Sequence, residues 1–283
     1  MRPFYTEVYG NAASRFHTQG KRARTAVESA RQEIAEFIGA NPREIIFTSG
    51  ATESLNIALQ GLAGAAAKPS HFVSTTIEHP AVLDTLKALE NKGHRVTLVP
   101  VASDGLVSPE AIKAAITRET IAVCIIGASN EIGTIQPLND VARVCQETQI
   151  PLISDTTQWV GNIPFNVQDL GVDFATISAH KMYGPKGIGC LYVRQRRPAF
   201  AIDSLIHGGG HERGLRSGTL NVPAIVGLGE AIRLAARSMD EAPDRISTLR
   251  DTLLEGLSAS ISGLHLNGTM APRLPNNLNV SIE

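Results

Sequence analysis

The run Glu44-Ile45-Ile46-Phe47-Thr48-Ser49-Gly50-Ala51-Thr52-Glu53-Ser54 joins an apolar stretch to a glycine-centred turn, and a helical pattern then continues to Leu62. It reads as strand, tight turn, helix: β-formers give way to a residue that tolerates unusual backbone angles, then to a 3.6-residue repeat. Just upstream, Ala23, Ala26, Val27, Ala30, Ile34, Phe37 and Ile38 recur at helical spacing, and Pro42 follows the stop. Downstream the order repeats. A strand over 71–75 precedes a helix over 81–91 halted by Gly93, a strand over 95–99, a helix over 109–116 and a strand over 121–126. A helix over 138–147 and a strand over 151–154 follow. This alternation predicts an α/β fold with a mainly parallel sheet sandwiched by helices, and places ligands at the carboxyl ends of the strands.

Further along, 187–193 reads as a strand, 194–198 as an arginine-rich turn and 207–219 as a long polar loop containing Gly208-Gly209-Gly210. Helical patterns cover 222–236 and 245–257, and 277–282 is strand-like. The expected division is a large domain over 1–235 and the start of a smaller, incomplete α+β domain over 236–283. No internal repeat or low-complexity segment interrupts the chain.

Of the 283 residues, 43% are hydrophobic and the formal charge is −1, the balance of an ordinary globular protein with enough chain to bury a core. Without a basic excess, direct nucleic-acid binding is not expected; without a long apolar run, neither is a membrane span. The N-terminal Met1-Arg2-Pro3-Phe4-Tyr5-Thr6-Glu7 lacks the apolar core of a secretory signal, so a cytoplasmic setting is expected. Cys124, Cys145 and Cys190 form no CxxC and share no metal-ligand spacing with histidines, so no metal site is expected and each reads as a reduced, buried small hydrophobe.

Two stretches carry chemistry. Ser178-Ala179-His180-Lys181-Met182-Tyr183-Gly184-Pro185-Lys186-Gly187-Ile188-Gly189 sets a lysine between small polar residues and a rigid Gly-Pro turn; Leu152-Ile153-Ser154-Asp155-Thr156-Thr157-Gln158 is an apolar strand ending in a carboxylate. An imine-forming lysine and a carboxylate are what pyridoxal 5'-phosphate (PLP) requires of its protein. Gly50-Ala51-Thr52 opens a helix, whose N-terminus offers free N–H groups to an anion. Lys186 reads as a turn residue.

Taken with Thr48-Ser49-Gly50-Ala51-Thr52-Glu53-Ser54, Glu78-His79-Pro80-Ala81-Val82-Leu83, Asn130-Glu131-Ile132-Gly133-Thr134 and Arg216-Ser217-Gly218-Thr219, in that order, the chain resembles the cysteine desulfurases of the NifS/IscS type. These are class V aminotransferase-like, fold-type-I PLP enzymes. The resemblance implies that Lys181 forms an imine with the cofactor aldehyde, that Asp155 pairs with the pyridine nitrogen, and that Gln158 and Asn130 lie near the phenolate oxygen. It implies that His79 stacks on the ring and moves protons, that Ala51, Thr52, Ser178 and His180 hold the phosphate, and that Thr219 reaches the phosphate of a neighbouring subunit in a homodimer. Gln158 and Asn130 also suit loop stabilisation, the three glycines a hinge, and Arg213 and Arg216 solvent.

The chain departs from the family pattern at both ends. The strand and Ala-Thr-Thr loop that usually open the family are absent, and the catalytic cysteine and substrate-carboxylate arginine are expected past Glu283. Ser129 stands where a second asparagine is common, and Trp159 follows Gln158. The expected activity is conversion of L-cysteine to L-alanine with sulfur passed as an enzyme persulfide to an acceptor protein. A selenocysteine lyase or cysteine sulfinate desulfinase, or a non-catalytic scaffold of the same fold, is the alternative.

Overall fold

The computed structural model describes residues 1–283. Its helices are α1 (Pro3–Thr6), α2 (Thr18–Ile38), α3 (Ala51–Ala65), α4 (Pro80–Glu90), α5 (Pro109–Ala115), α6 (Leu138–Thr148), α7 (Val167–Leu170), α8 (Val222–Ser238) and α9 (Ala242–Ser260). Its strands are β1 (Ile45–Thr48), β2 (His71–Thr75), β3 (Arg95–Val99), β4 (Thr120–Ile126), β5 (Leu152–Asp155), β6 (Phe174–Ser178), β7 (Gly189–Val193), β8 (Leu264–Leu266) and β9 (Val280–Ile282).

Seven strands form one sheet in the order β1-β7-β6-β5-β4-β2-β3. The run from β3 to β6 is parallel, and β7 is antiparallel to both β6 and β1. The expected α/β architecture is therefore present. Alternate residues of each central strand serve opposite cores, as the two-residue period of a strand requires. Phe47, Val73, Val123, Ile125, Leu152, Ala175 and Ile177 pack with Val27, Ile34 and Ile225 of α2 and α8. Ile46, Phe72, Ala122, Cys124, Ile153 and Phe174 pack with Leu55, Leu59 and Leu86 of α3 and α4 on the other face. Each fully buried Val, Leu, Ile or Phe among them contributes about 1.5–3 kcal/mol of transfer free energy.

Strand β6, like α1, α7 and β8, is left unassigned by the periodicity, and it lies between β5 and β7 in the middle of the site-bearing sheet. Beyond α8, β8 and β9 pair as a separate antiparallel ribbon. Helix α9 buries none of its residues, and its Leu249 and Leu253 are exposed. No helix is long and apolar enough to cross a membrane.

Candidate active site

The turn after β1 and the carboxyl ends of β4, β5 and β6 converge on a cavity of about 490 Å³, a size suited to a cofactor. Ala51, Thr52, His79, Asn130, Asp155, Gln158, Ser178, His180 and Lys181 all line it. Thr219 does not; it is exposed at the end of the polar loop.

One wall is the start of α3. Gly50, the residue before the helix, has φ 151° and ψ −176°, and no side chain caps the first turn. That backbone region is open essentially to glycine alone. A Cβ on Gly189 of β7 would lie 2.3 Å from the Ile177 carbonyl oxygen and 2.8 Å from Gly50 Cα, so a second glycine lets β7 lie against the turn. The result is an uncapped helix N-terminus aimed at the cavity, where N–H groups and the helix dipole favour an anion. Ser178 Oγ lies 2.9 Å from His180 Nδ1 beside it. Partial burial, then the charges of Lys181 and Lys186, lower the His180 imidazolium below its ordinary range and favour the neutral ring.

The first turn of α3 is braced from behind. Glu53 accepts the Ser49 N–H at 2.7 Å and the Arg216 Nε–H at 2.7 Å. Arg216 is therefore tied to the anion-binding turn. Burial alone would raise the Glu53 carboxyl; the hydrogen bonds and charge of Arg216 and the donors of Ser49 outweigh it and lower the group.

Asp155 ends β5 and is buried. Its Oδ1 accepts the Thr157 N–H at 3.1 Å and the Thr176 hydroxyl at 2.9 Å. With Oδ1 anchored, Oδ2 is the oxygen left for a ligand. Opposite, His79 precedes α4, and its Nδ1 accepts the Ala81 N–H at 3.0 Å. An accepting Nδ1 puts the proton of the neutral ring on Nε2. Lys181 sits in the short 3₁₀ turn Ala179–Met182 that follows β6. Ser129 Oγ accepts the N–H groups of Glu131 at 3.3 Å and Ile132 at 3.2 Å, supporting the loop that presents Asn130.

Three features escape sequence reading. Lys186 lines the cavity rather than merely turning the chain; two lysines flanking one Gly-Pro turn were the available signal. Thr176 orients Asp155, and no pattern announces it. Glu78, next to His79, is buried with one carboxyl oxygen unpartnered, a property no sequence pattern reveals. The cysteines are all buried. Burial pushes Cys124 well above the usual thiol range and Cys145 and Cys190 up to about 12, so none is a ready nucleophile.

An uncapped helix N-terminus, a lysine, an anchored carboxylate and a histidine around one cavity fit PLP: an anion cup for phosphate, an amine for the aldehyde and a carboxylate for the ring nitrogen. Fold and site together define a PLP-dependent enzyme of the aminotransferase type. Residues 1–283 match the family model described as aminotransferase class-V. The chain is 48% identical to a cysteine desulfurase IscS of Anaeromyxobacter dehalogenans over 99% of its own length and 70% of that protein's. A solved NifS-like protein superposes with a TM-score of 0.94 at 43% identity, covering 99% of this chain and 76% of the other. A structure titled SspA in complex with cysteine gives a TM-score of 0.89 at 36% identity, covering 100% of this chain and 78% of that one. The chain belongs to the class-V aminotransferase family and, within it, to the cysteine desulfurases of the IscS/NifS type.

Proposed function

We infer that this protein is a PLP-dependent cysteine desulfurase: L-cysteine becomes L-alanine, and the sulfur leaves as a persulfide on an enzyme thiol for delivery to an acceptor protein. The observation that carries this reading is the single cavity in which Lys181, Asp155, His79 and the start of α3 meet, in a chain of the desulfurase family. Nothing in that geometry favours selenocysteine or cysteine sulfinate as substrate, or a scaffold role.

Bound PLP supplies the electron sink that stabilises the negative charge developed at the substrate Cα. The residues of the chain do the rest. Lys181 Nζ would hold the cofactor aldehyde and carry a proton to and from the substrate. Asp155 Oδ2 would keep the ring nitrogen protonated, its twin oxygen being fixed by Thr176 and Thr157. Gln158 and Asn130 would serve the phenolate oxygen. His79 would stack on the ring and supply its Nε2 proton. Ala51, Thr52, Ser178 and His180 would hold the phosphate at the start of α3, with Thr219 of a second subunit completing that cup in a homodimer. On this reading the persulfide thiol is none of Cys124, Cys145 and Cys190. We place the enzyme in the cytoplasm, with residues 1–235 as the cofactor-binding domain and 236–283 as the beginning of a smaller one.

The test is to incubate the purified protein in its full natural length with PLP, L-cysteine and a thiol reductant, and to quantify alanine and sulfide together. Equal release, abolished by Lys181→Ala, is expected; sulfide without matching alanine overturns the reading.

A further inference from the structure

Glu78 sits immediately before His79 but does not line the cavity. It is buried, in the turn between β2 and α4, with 5% of its surface exposed. Its Oε1 accepts two hydrogen bonds, from the Thr75 hydroxyl at 2.5 Å and from the Ile126 N–H at 2.9 Å. Its Oε2 is buried with no partner at all. Ile126 ends β4 in register with Asp155 on β5, and Ile126 itself lines the cavity. One carboxyl oxygen thus ties the end of β2 to the end of β4, next in the chain to His79, which lines the cavity.

A carboxylate in that place would be an uncompensated buried charge. The titratable groups around it are Asp155 from β5, Cys124 from β4 and the adjacent His79, and no lysine or arginine pairs with it. Burial first, and then the charge of Asp155, push the carboxyl up to about 8 despite the Thr75 and Ile126 donors. A neutral acid fits the geometry better than a carboxylate: a carbonyl-like Oε1 accepts twice, and a protonated Oε2 leaves one buried O–H without an acceptor, a smaller cost than a buried charge without a cation.

We propose that Glu78 is a positioning residue that works as a neutral carboxylic acid, locking the turn that presents His79 to the cavity while leaving Asp155 as the anion available to the cofactor's ring nitrogen. The inference rests on the desulfurase reading for its kinetic arm but not for its structural one. Two substitutions separate the possibilities. Glu78→Gln reproduces the shape and the accepting oxygen of the neutral acid. Glu78→Leu keeps the bulk, removes the acceptor and strands the Thr75 and Ile126 donors.

In the PLP-loaded enzyme, Glu78→Leu is expected to lower kcat for alanine release by about tenfold or more with KM little changed, because a misplaced His79 slows proton movement rather than binding. Glu78→Gln is expected to rescue kcat to within about threefold of the parent. The cofactor absorption band, titrated against pH, should keep its midpoint in Glu78→Gln and shift in Glu78→Leu. A glutamine variant as impaired as the leucine variant overturns the neutral-acid assignment, and a leucine variant with unchanged kcat and band overturns the positioning role. Should the parent release no alanine, the functional reading fails on its own. Thermal unfolding against pH then still decides: a midpoint that falls between about pH 5 and 8 in the parent and not in Glu78→Gln upholds the buried acid, and parallel profiles refute it.

Discussion

Two buried glutamates, one behind the cofactor cavity and one in the polar loop, meet the cost of burial in opposite ways. Glu78 has no cation, two donors on one oxygen and none on the other. Glu212 accepts both arms of Arg31 at 2.8 Å each and the Phe47 N–H at 2.7 Å, while Arg31 also donates to the Ile45 carbonyl. The pair is nearly dry, with side-chain exposures of 8% and 3%. It holds the loop to α2 and β1 although Glu212 and Arg213 adopt left-handed φ of 46° and 58°, a conformation that costs non-glycine residues free energy and persists only where the surroundings impose it. One site uses protonation to neutralise a buried tie between strand ends; the other uses an ion pair to hold a strained segment in place.

Breaking the ion pair should have the largest effect. Glu212→Ala leaves Arg31 buried and unpaired and is expected to cost about 3–5 kcal/mol in denaturant unfolding. The double change Arg31→Met with Glu212→Leu should recover much of that stability. If it also restores cofactor affinity, the clamp contributes bulk alone; persistently weak PLP binding would show that the pair sets the course of the loop toward Arg216.

Next comes the pH profile of Glu78. Its folded-state value of about 8 lies above its ordinary value of 4.5. The fold therefore binds a proton that the unfolded chain has released, and the stability this confers is complete below about pH 4.5 and gone above about pH 8. Unfolding free energy should fall by about 1.4 kcal/mol per pH unit across that window. Subtracting the Glu78→Gln profile, which lacks the slope, isolates the term; a difference curve flat from pH 5 to 8 would erase the contrast with Glu212.

Sequence pattern disclosed the frame of this molecule more readily than these two devices. Strand β1, its glycine turn and α3 announce themselves because apolar run, breaker and helical period follow one another. Strand β6 does not. Phe174-Ala175-Thr176-Ile177-Ser178 interrupts its apolar residues with two hydroxyls that serve the site: Thr176 donates to Asp155, and Ser178 lies against His180. Local rules fail where function overrides them. Lys181, Asp155 and His79 were legible as motif residues, whereas the partner of Glu212 lies 181 positions away and is visible only once the chain has folded. The isolation of Glu78 is likewise a property of packing.

A third glutamate sharpens the contrast at smaller amplitude. Glu53 is paired with Arg216 like Glu212 with Arg31, but the side chains keep exposures of 15% and 21%, so solvent weakens the bond. Its carboxyl is lowered rather than raised: the Arg216 and Ser49 hydrogen bonds prevail over the burial that opposes them. The sign of its pH dependence is accordingly the reverse of that of Glu78. The stability it contributes is present above the ordinary carboxylate value and lost as pH falls through the lowered one. Glu53→Gln should therefore cost about 1 kcal/mol or less at neutral pH and nothing at strongly acid pH. Arg216→Ala should lower phosphate-dependent PLP affinity a few-fold, about 1 kcal/mol, by loosening the first turn of α3. If Glu53→Gln instead flattened a loss of stability between about pH 5 and 8, Glu53 would belong with Glu78 as a neutral acid, and the division between paired and protonated carboxyls would dissolve.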